Sequence, residues 1–252
     1  MNVEIDGLRL EVERWHGDGS AKPPIVLLHE GLGSVSMWRD FPAALSRATG
    51  SEVVAYSRAG YGRSSAVADP FGVDYMHREA ESVLPRLLDR LEIVRPILLG
   101  HSDGASIALL FAARYPDRVA ALVLEAPHVF VEEITVESIA KITATYPRDA
   151  RLRESLARHH VGADAAFRRW SAIWLDPAFR SWDITAALKD VAGPALVIQG
   201  RDDEYGTFAQ VDAIATGIPA TDSLLLGNCR HAPHRDARDA VLTRMTCFVG
   251  HV

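Results

Sequence analysis

The stretch "LLGHSDGAS", residues 98–106, sets one serine between two glycines just as an aliphatic run ends. Glycine tolerates backbone angles that other residues resist, so Gly100-x-Ser102-x-Gly104 can form a sharp turn with the hydroxyl at its apex. Three small residues in this pattern occur by chance, and the flanks carry the reading. Before the turn, "RPILLG" is a short β-type apolar run; after it, "ASIALLFAARYPDRV" repeats apolar residues at helical spacing and stops at Pro116. The expectation is a strand, a tight turn and a helix, in that order.

Working outward, the same kind of apolar run recurs as "PIVLLHE", "EVVAYSRA", "AALVLEAP", "ALVIQGRDDE" and "SLLLGNCRHAP". The N-terminal "VEIDGLRLEVERW" alternates in hydropathy around Asp6-Gly7, as a hairpin does. Helical patterns lie between the runs, in "SMWRDFPAALSRA", "YMHREAESVLPRLLDRLEI" and "TFAQVDAIA". Strands alternating with helices predict an α/β fold, a mostly parallel central sheet with helices on both faces. Residues 128–182 break the rhythm. They read as helices throughout and hold Trp170, Trp174 and Trp182, three of the five tryptophans. The expected organisation is a core over 1–127, an inserted helical lid over 128–182 and a second part of the core over 183–252.

With 252 residues, 48% of them hydrophobic, the chain can bury a large core. Its net charge of -6 comes from mixed acidic and basic residues without long single-sign blocks, which disfavours nucleic acid and anionic membranes as partners and leaves a small-molecule substrate. No run of about 18 apolar residues is present, and the charged start "MNVEIDGLRLEVERW" is unlike a signal peptide, so the expected location is cytoplasmic. Cys229 and Cys247 lack metal-ligand spacing and read as free thiols.

A serine hydroxyl becomes a useful nucleophile when an imidazole takes its proton and a carboxylate fixes the imidazole's tautomer. Two later strand ends offer both groups: Asp202, Asp203 and Glu204 follow "ALVIQG", and His231 and His234 follow "SLLLG". Loops at the carboxyl ends of parallel strands gather at one rim, so these residues can converge on Ser102.

With these pieces in place, the chain resembles the α/β-hydrolase fold superfamily, and in particular its serine esterases, from "PIVLLHE" to the last helix. "GHSDG" is similar to the family's nucleophile turn, "GRDDEYG" to its acid loop and "NCRHAPHRD" to its histidine loop. The resemblance implies Ser102 as nucleophile, Asp203 as the acid three residues after Gly200, and His231 rather than His234 as base. It also implies an oxyanion hole from the backbone N–H groups of Gly31 and Asp103, and no cofactor. The chain departs from the family at Glu30, where glycine is usual, and at Ser57 and Ala59, which stand for Asp and Arg in "YSRAGYGRS". Relatives with Ser-Asp-Gly at this turn include enzymes that hydrolyse esters of α-amino acids. On that resemblance the Asp103 carboxylate binds a substrate ammonium, with Glu30 as a second negative group; the competing reading leaves Asp103 in the first turn of its own helix. Trp170 and Trp174 are candidates to line an acyl pocket or to hold the lid onto the body.

The reading that follows is a serine hydrolase of small carboxylic esters, a monomer or homodimer. Its competitors are a hydrolase of carbon–carbon bonds in ring-cleavage products, for which Arg168 and Arg169 would offer positive charge, and a non-catalytic binding protein on the same fold. His29 reads as a loop support, Trp38 as core, and His159 and His160 as solvent-facing.

Overall fold

The computed structural model describes residues 1–19, 21–67 and 71–252. Its strands are β1 (Asn2–Ile5), β2 (Leu8–Trp15), β3 (Ile25–Leu28), β4 (Val53–Tyr56), β5 (Ile97–His101), β6 (Ala121–Glu125), β7 (Ala195–Gly200) and β8 (Thr221–Leu226). Asp6 and Gly7, with φ of 51° and 78°, close the β1–β2 hairpin, since a two-residue turn of this hand needs positive φ at both positions. The sheet runs β1-β2-β4-β3-β5-β6-β7-β8; β2 meets β4 antiparallel, and every pair from β4 to β8 is parallel. Each residue of β3, β4, β5, β6 and β7 is buried, as a sheet covered on both faces requires.

The ten α-helices among the described residues are α1 (Phe41–Thr49), α2 (Tyr75–Arg78), α3 (Leu84–Arg90), α4 (Asp103–Arg114), α5 (Glu133–Thr145), α6 (Ala150–Ala157), α7 (Ala163–Trp174), α8 (Phe208–Gly217), α9 (Pro233–Asp236) and α10 (Arg238–Val249). Alternate strand residues feed two cores. Ile25, Leu27, Ile97 and Leu99 pack with Phe41 and Leu45 of α1 and Met245 of α10. Val26, Leu28 and Leu98 pack with Leu84 and Leu87 of α3 and Ile107 and Phe111 of α4 on the opposite face. No described helix is long and apolar enough to cross a membrane.

One predicted helix differs. The pattern over 75–93 divides into α2, a stretch of π-type turns at Glu79–Val83, and α3. Pro85, the second residue of α3, has no N–H to bond the carbonyl four residues earlier, which favours a widened turn before it. Residues 133–174, between β6 and β7, form α5, α6 and α7 as the composition of that segment implies.

At the end of β5 the turn is made by Ser102 itself, with φ 54° and ψ −119°, a strained setting for a residue with a Cβ. Neither Gly100 nor Gly104 has a positive φ, so backbone freedom is not why they are glycines. Close approach is the reason: an added Cβ at Gly104 would overlap the Leu28 carbonyl of β3, and one at Gly100 would overlap the Gly104 carbonyl and Ala105. The Ser102 N–H donates to the Glu125 carbonyl (2.9 Å), tying the turn to β6.

Because the obstacle at Gly104 is backbone, Gly104→Ala should lower stability by about 3 kcal/mol, seen as a shifted denaturant midpoint. Gly227→Ala, where an added Cβ meets nothing within 4 Å, should change stability by less than about 0.5 kcal/mol.

Candidate active site

Three loops at the carboxyl rim of the sheet enclose a cavity of about 330 Å³. Ser102 enters it from the end of β5, Tyr205 from the loop after β7, and His231 from the loop after β8; Trp170 and Trp174 of α7 also line it. Loop convergence is enforced at Gly200, where a Cβ would overlap the carbonyls of Cys229 and Arg230.

Asp203 is buried and holds His231, whose Nδ1 lies 2.8 and 2.9 Å from the two carboxylate oxygens. The same carboxylate accepts from the backbone N–H groups of Tyr205 (2.8 Å) and Gly206 (3.3 Å) and from Gln199 Nε2 (2.7 Å). Burial by itself would raise the Asp203 pKa, but the His231 bond and the N–H donors outweigh it and hold the acid below its ordinary value. A carboxylate bonded to Nδ1–H fixes the tautomer in which Nε2 can accept a proton. The neighbouring candidates do not hold His231: Asp202 is exposed, Glu204 lines the cavity but pairs with Arg230 (2.6 Å), and the buried His234 pairs with Glu125 (2.6 Å).

Asp103 opens α4, where N–H groups have no intrahelical acceptor. Gly31 lies beside its side chain: a Cβ there would overlap the Trp170 indole and come within 3.1 Å of Asp103 Oδ2. The loop carrying Gly31 is braced from beneath by Arg58, which donates to the carbonyls of His29 (2.5 Å) and Glu30 (2.9 Å) and stands 4.0 Å from Asp103 Oδ2. His29 adds a support: its Nδ1–H donates to the Glu30 carbonyl (2.7 Å) and its Nε2 accepts from Arg58 N–H (3.0 Å). Burial, and then the Arg58 charge, push His29 well below the usual imidazole pKa, consistent with this neutral tautomer.

Glu30 points its carboxylate at His101, 3.5 Å from Nδ1, while His101 Nε2–H donates to the His231 carbonyl (2.6 Å). Burial lowers the His101 pKa, yet Glu30 more than reverses this and leaves it raised above 6.5. A glycine at position 33 makes room, since a Cβ there would overlap the Glu30 carboxylate. Ser57 lacks the family's acid, and Glu11 of β2 supplies one instead: Ser57 Oγ donates to Glu11 Oε2 (2.7 Å), which also accepts from Arg63 N–H (3.0 Å).

Several expectations need correction. His160 is buried rather than solvent-facing: it accepts from Gly62 N–H (2.9 Å) at Nδ1 and donates from Nε2 to the Leu32 carbonyl (2.8 Å), and His159 bonds Ser36 (2.8 Å). The helix pattern cannot show this, because both acceptor and donor come from distant turns. Arg168 is exposed and Arg169 reaches the carbonyls of Gly60 and Val67, so neither lines the cavity, whereas Arg230 and Arg235 do. Trp182 stacks on Phe179 in the core, and Trp38 is buried against Phe41 and His234. Cys229 is buried, its thiol pushed up to about 12 by that burial, and Cys247 is exposed. No group of three or more metal-ligating side chains appears among the described residues.

Sequence reasoning missed Arg58, His101 and His128. His128 lines the cavity beside His231, ring centroids 5.7 Å apart, and its pKa is lowered to about 3 by burial and then by the His231 charge. Each sits at the carboxyl end of a parallel strand, His101 as the last residue of β5, Arg58 two residues after β4 and His128 three after β6, which was the available signal.

The chain belongs to the α/β hydrolase fold family, whose sequence pattern it matches over residues 23–156. It is 29% identical, over 84% of its length and 88% of the relative's, to a protein of Pseudomonas savastanoi pv. phaseolicola named as a carbamate hydrolase, RutD. It is 28% identical to a 2-hydroxy-6-oxononadienedioate/2-hydroxy-6-oxononatrienedioate hydrolase of Paraburkholderia phymatum, over 92% of this chain and 88% of that one. The crystal structure of the enol-lactonase from Burkholderia xenovorans superposes with a TM-score of 0.77 at 24% identity, covering 99% of this chain and all of that one (100%).

If Asp203 orients His231, Asp203→Asn should lower kcat/KM about ten-thousandfold in a steady-state assay, while Asp202→Asn should cost far less. The Glu30–His101 pair has a pH signature. A raised imidazole pKa adds stability below about pH 6.5 that is lost as pH rises through the raised value, and Glu30, held below its ordinary 4.5, keeps its charge well into acid. The melting-temperature gap between the parent and Glu30→Gln should therefore be widest near about pH 6 and shrink by about pH 9.

Proposed function

We propose that this chain is a serine hydrolase that cleaves a small carboxylic ester through an acyl-enzyme. The observation that carries the reading is the buried Asp203 carboxylate on His231 Nδ1, with His231 and Ser102 lining one cavity. In this reading Ser102 Oγ attacks the ester carbonyl as its proton passes to His231 Nε2. The N–H groups of Gly31 and Asp103 hold the oxyanion, each such donor contributing about 2.7–4 kcal/mol. Collapse expels the alkoxide, which takes the proton from His231, and water, deprotonated by the same imidazole, then releases the acid and restores Ser102. Asp203 keeps the imidazole in register and offsets its transient charge.

Residues 128–182 act as the lid, and Ile139, Ile142, Leu152 and Leu156 give the cavity an apolar end suited to an acyl chain. Trp170 and Trp174 line the same cavity. The substrate is a small molecule.

A second reading, cleavage of a carbon–carbon bond in a ring-cleavage product, is as well supported by the relatives, one of which is named for that activity. Arg235 favours it: exposed at the mouth of the cavity, it could take the carboxylate of a dienol-keto acid. A silent binding protein is disfavoured by the oriented imidazole. Turnover of 4-nitrophenyl butyrate without turnover of a dienol-keto acid is the expected result, and the reverse would establish the second reading. In either case Ser102→Ala should fold normally and lose at least about a thousandfold in rate; turnover retained in that variant would remove Ser102 from the mechanism.

A further inference from the structure

Five buried polar atoms of the cavity wall lack a hydrogen-bond partner among the described groups; His101 Nδ1 and Glu204 Oε2 belong to side chains already paired with Glu30 and Arg230, which leaves Asp103 Oδ1, Trp174 Nε1 and His128 Nδ1. They are neighbours. His128 meets the Trp174 ring edge-on with centroids 5.1 Å apart, and the Trp174 indole N–H lies near enough to act on the Asp103 carboxylate without closing a hydrogen bond to it. Buried polar atoms ordinarily find partners, and leaving three together in a substrate cavity marks a place where another molecule supplies them.

The chemistry of that molecule follows from the wall. Asp103 Oδ2 is already used, accepting from Tyr75 Oη (2.5 Å), and the Arg58 guanidinium 4.0 Å away offsets the carboxylate's charge. What remains is one bare acceptor, Oδ1, facing one bare donor, the indole N–H. An ammonium would donate to Oδ1, leave the indole N–H without an acceptor and add a positive charge that Arg58 has made unnecessary. A carboxylate could accept from the indole but would face Asp103 directly, with Glu30 also nearby. A hydroxyl does both, accepting from Trp174 and donating to Asp103. His128 fits a neutral guest: burial keeps its imidazole uncharged, and its Nδ1 borders the same space.

Position narrows the class further. Asp103 follows Ser102 in the chain, and its Oδ2 lies 3.1 Å from where a Cβ on Gly31 would stand. A group bound between Asp103 and Trp174 is therefore close to the carbonyl under attack. Resting on the ester-hydrolase reading, we propose that Asp103 and Trp174 form a polar subsite for a hydroxyl on the acyl chain, so that the substrates are esters of 2- or 3-hydroxy acids.

The experiment compares kcat/KM for the benzyl esters of 2-hydroxybutanoate, 3-hydroxybutanoate, butanoate and 2-aminobutanoate. At least one hydroxy ester should exceed butanoate by about tenfold or more, because a site with bare donor and acceptor rejects the analogue that lacks the hydroxyl. The amino ester should gain nothing over butanoate. In Trp174→Phe, which removes the indole N–H and keeps an aromatic ring, the hydroxyl advantage should fall towards one. Butanoate equal to both hydroxy esters overturns the proposal, and so does preference for the amino ester. If Trp174→Phe fails to fold, as circular dichroism would show, the parent's ranking of the four esters decides. Should the parent cleave none of them, the ester reading fails separately; calorimetric titration of Ser102→Ala with the N-benzylamides of the same acids then tests the subsite alone. There, tighter binding of a hydroxyamide than of the butanamide supports the proposal, and equal binding overturns it.

Discussion

The packing of the β5–α4 turn against the end of β3 is the constraint on which the rest depends. Ser102 takes a positive φ because the chain must reverse direction between a buried strand and a helix that lies against the Leu28 carbonyl. Such a residue costs about 1–3 kcal/mol and persists only where its surroundings leave no alternative. Here they leave none: Gly100 and Gly104 admit the backbone at contact distance, and the Ser102 N–H is anchored on β6. The strain holds a hydroxyl at the cavity floor and points the start of α4 at the same place.

Beneath that floor lies a layer of charged and hydrogen-bonded groups with few equivalents elsewhere in the core. Arg58 carries the loop of Gly31 by its carbonyls and sits within reach of Asp103; Glu30 faces His101; His101 holds the backbone of His231; Glu125 holds His234. Breaking a buried pair by removing one partner generally costs more than the pair contributed, because the other charge is stranded. The layer therefore fixes three loops relative to one another, which apolar packing alone would do less specifically. His160, from the helical segment between β6 and β7, extends this to the roof of the cavity by bonding the carbonyl next to Gly31's loop at Leu32.

Much of this could be read from the sequence. The strand order of events, the turn at Ser102, and the placing of Asp203 and His231 after the last two strands all depend on local pattern, and the structure puts those residues on one rim. The parts that could not be read depend on tertiary approach. Glu30 looks like a lost glycine until His101 is seen opposite it, Ser57 looks like a lost acid until Glu11 is found across the sheet, and Arg58 is one residue from where the family's arginine would stand. His160 followed an arginine-rich helix and gave no sign of its two partners. The glycines of the turn were correctly singled out for a reason that the backbone angles do not bear out, since their role is closeness rather than conformational freedom.

The central claim is that Ser102 is made nucleophilic by His231, held in turn by Asp203. It is tested most directly by treating the protein with a fluorophosphonate and locating the adduct by mass spectrometry. The account predicts stoichiometric labelling on the peptide bearing Ser102, with the rate of labelling sharply reduced in His231→Ala and in Asp203→Asn. Labelling at another serine, or an undiminished rate at Ser102 in both variants, would contradict it.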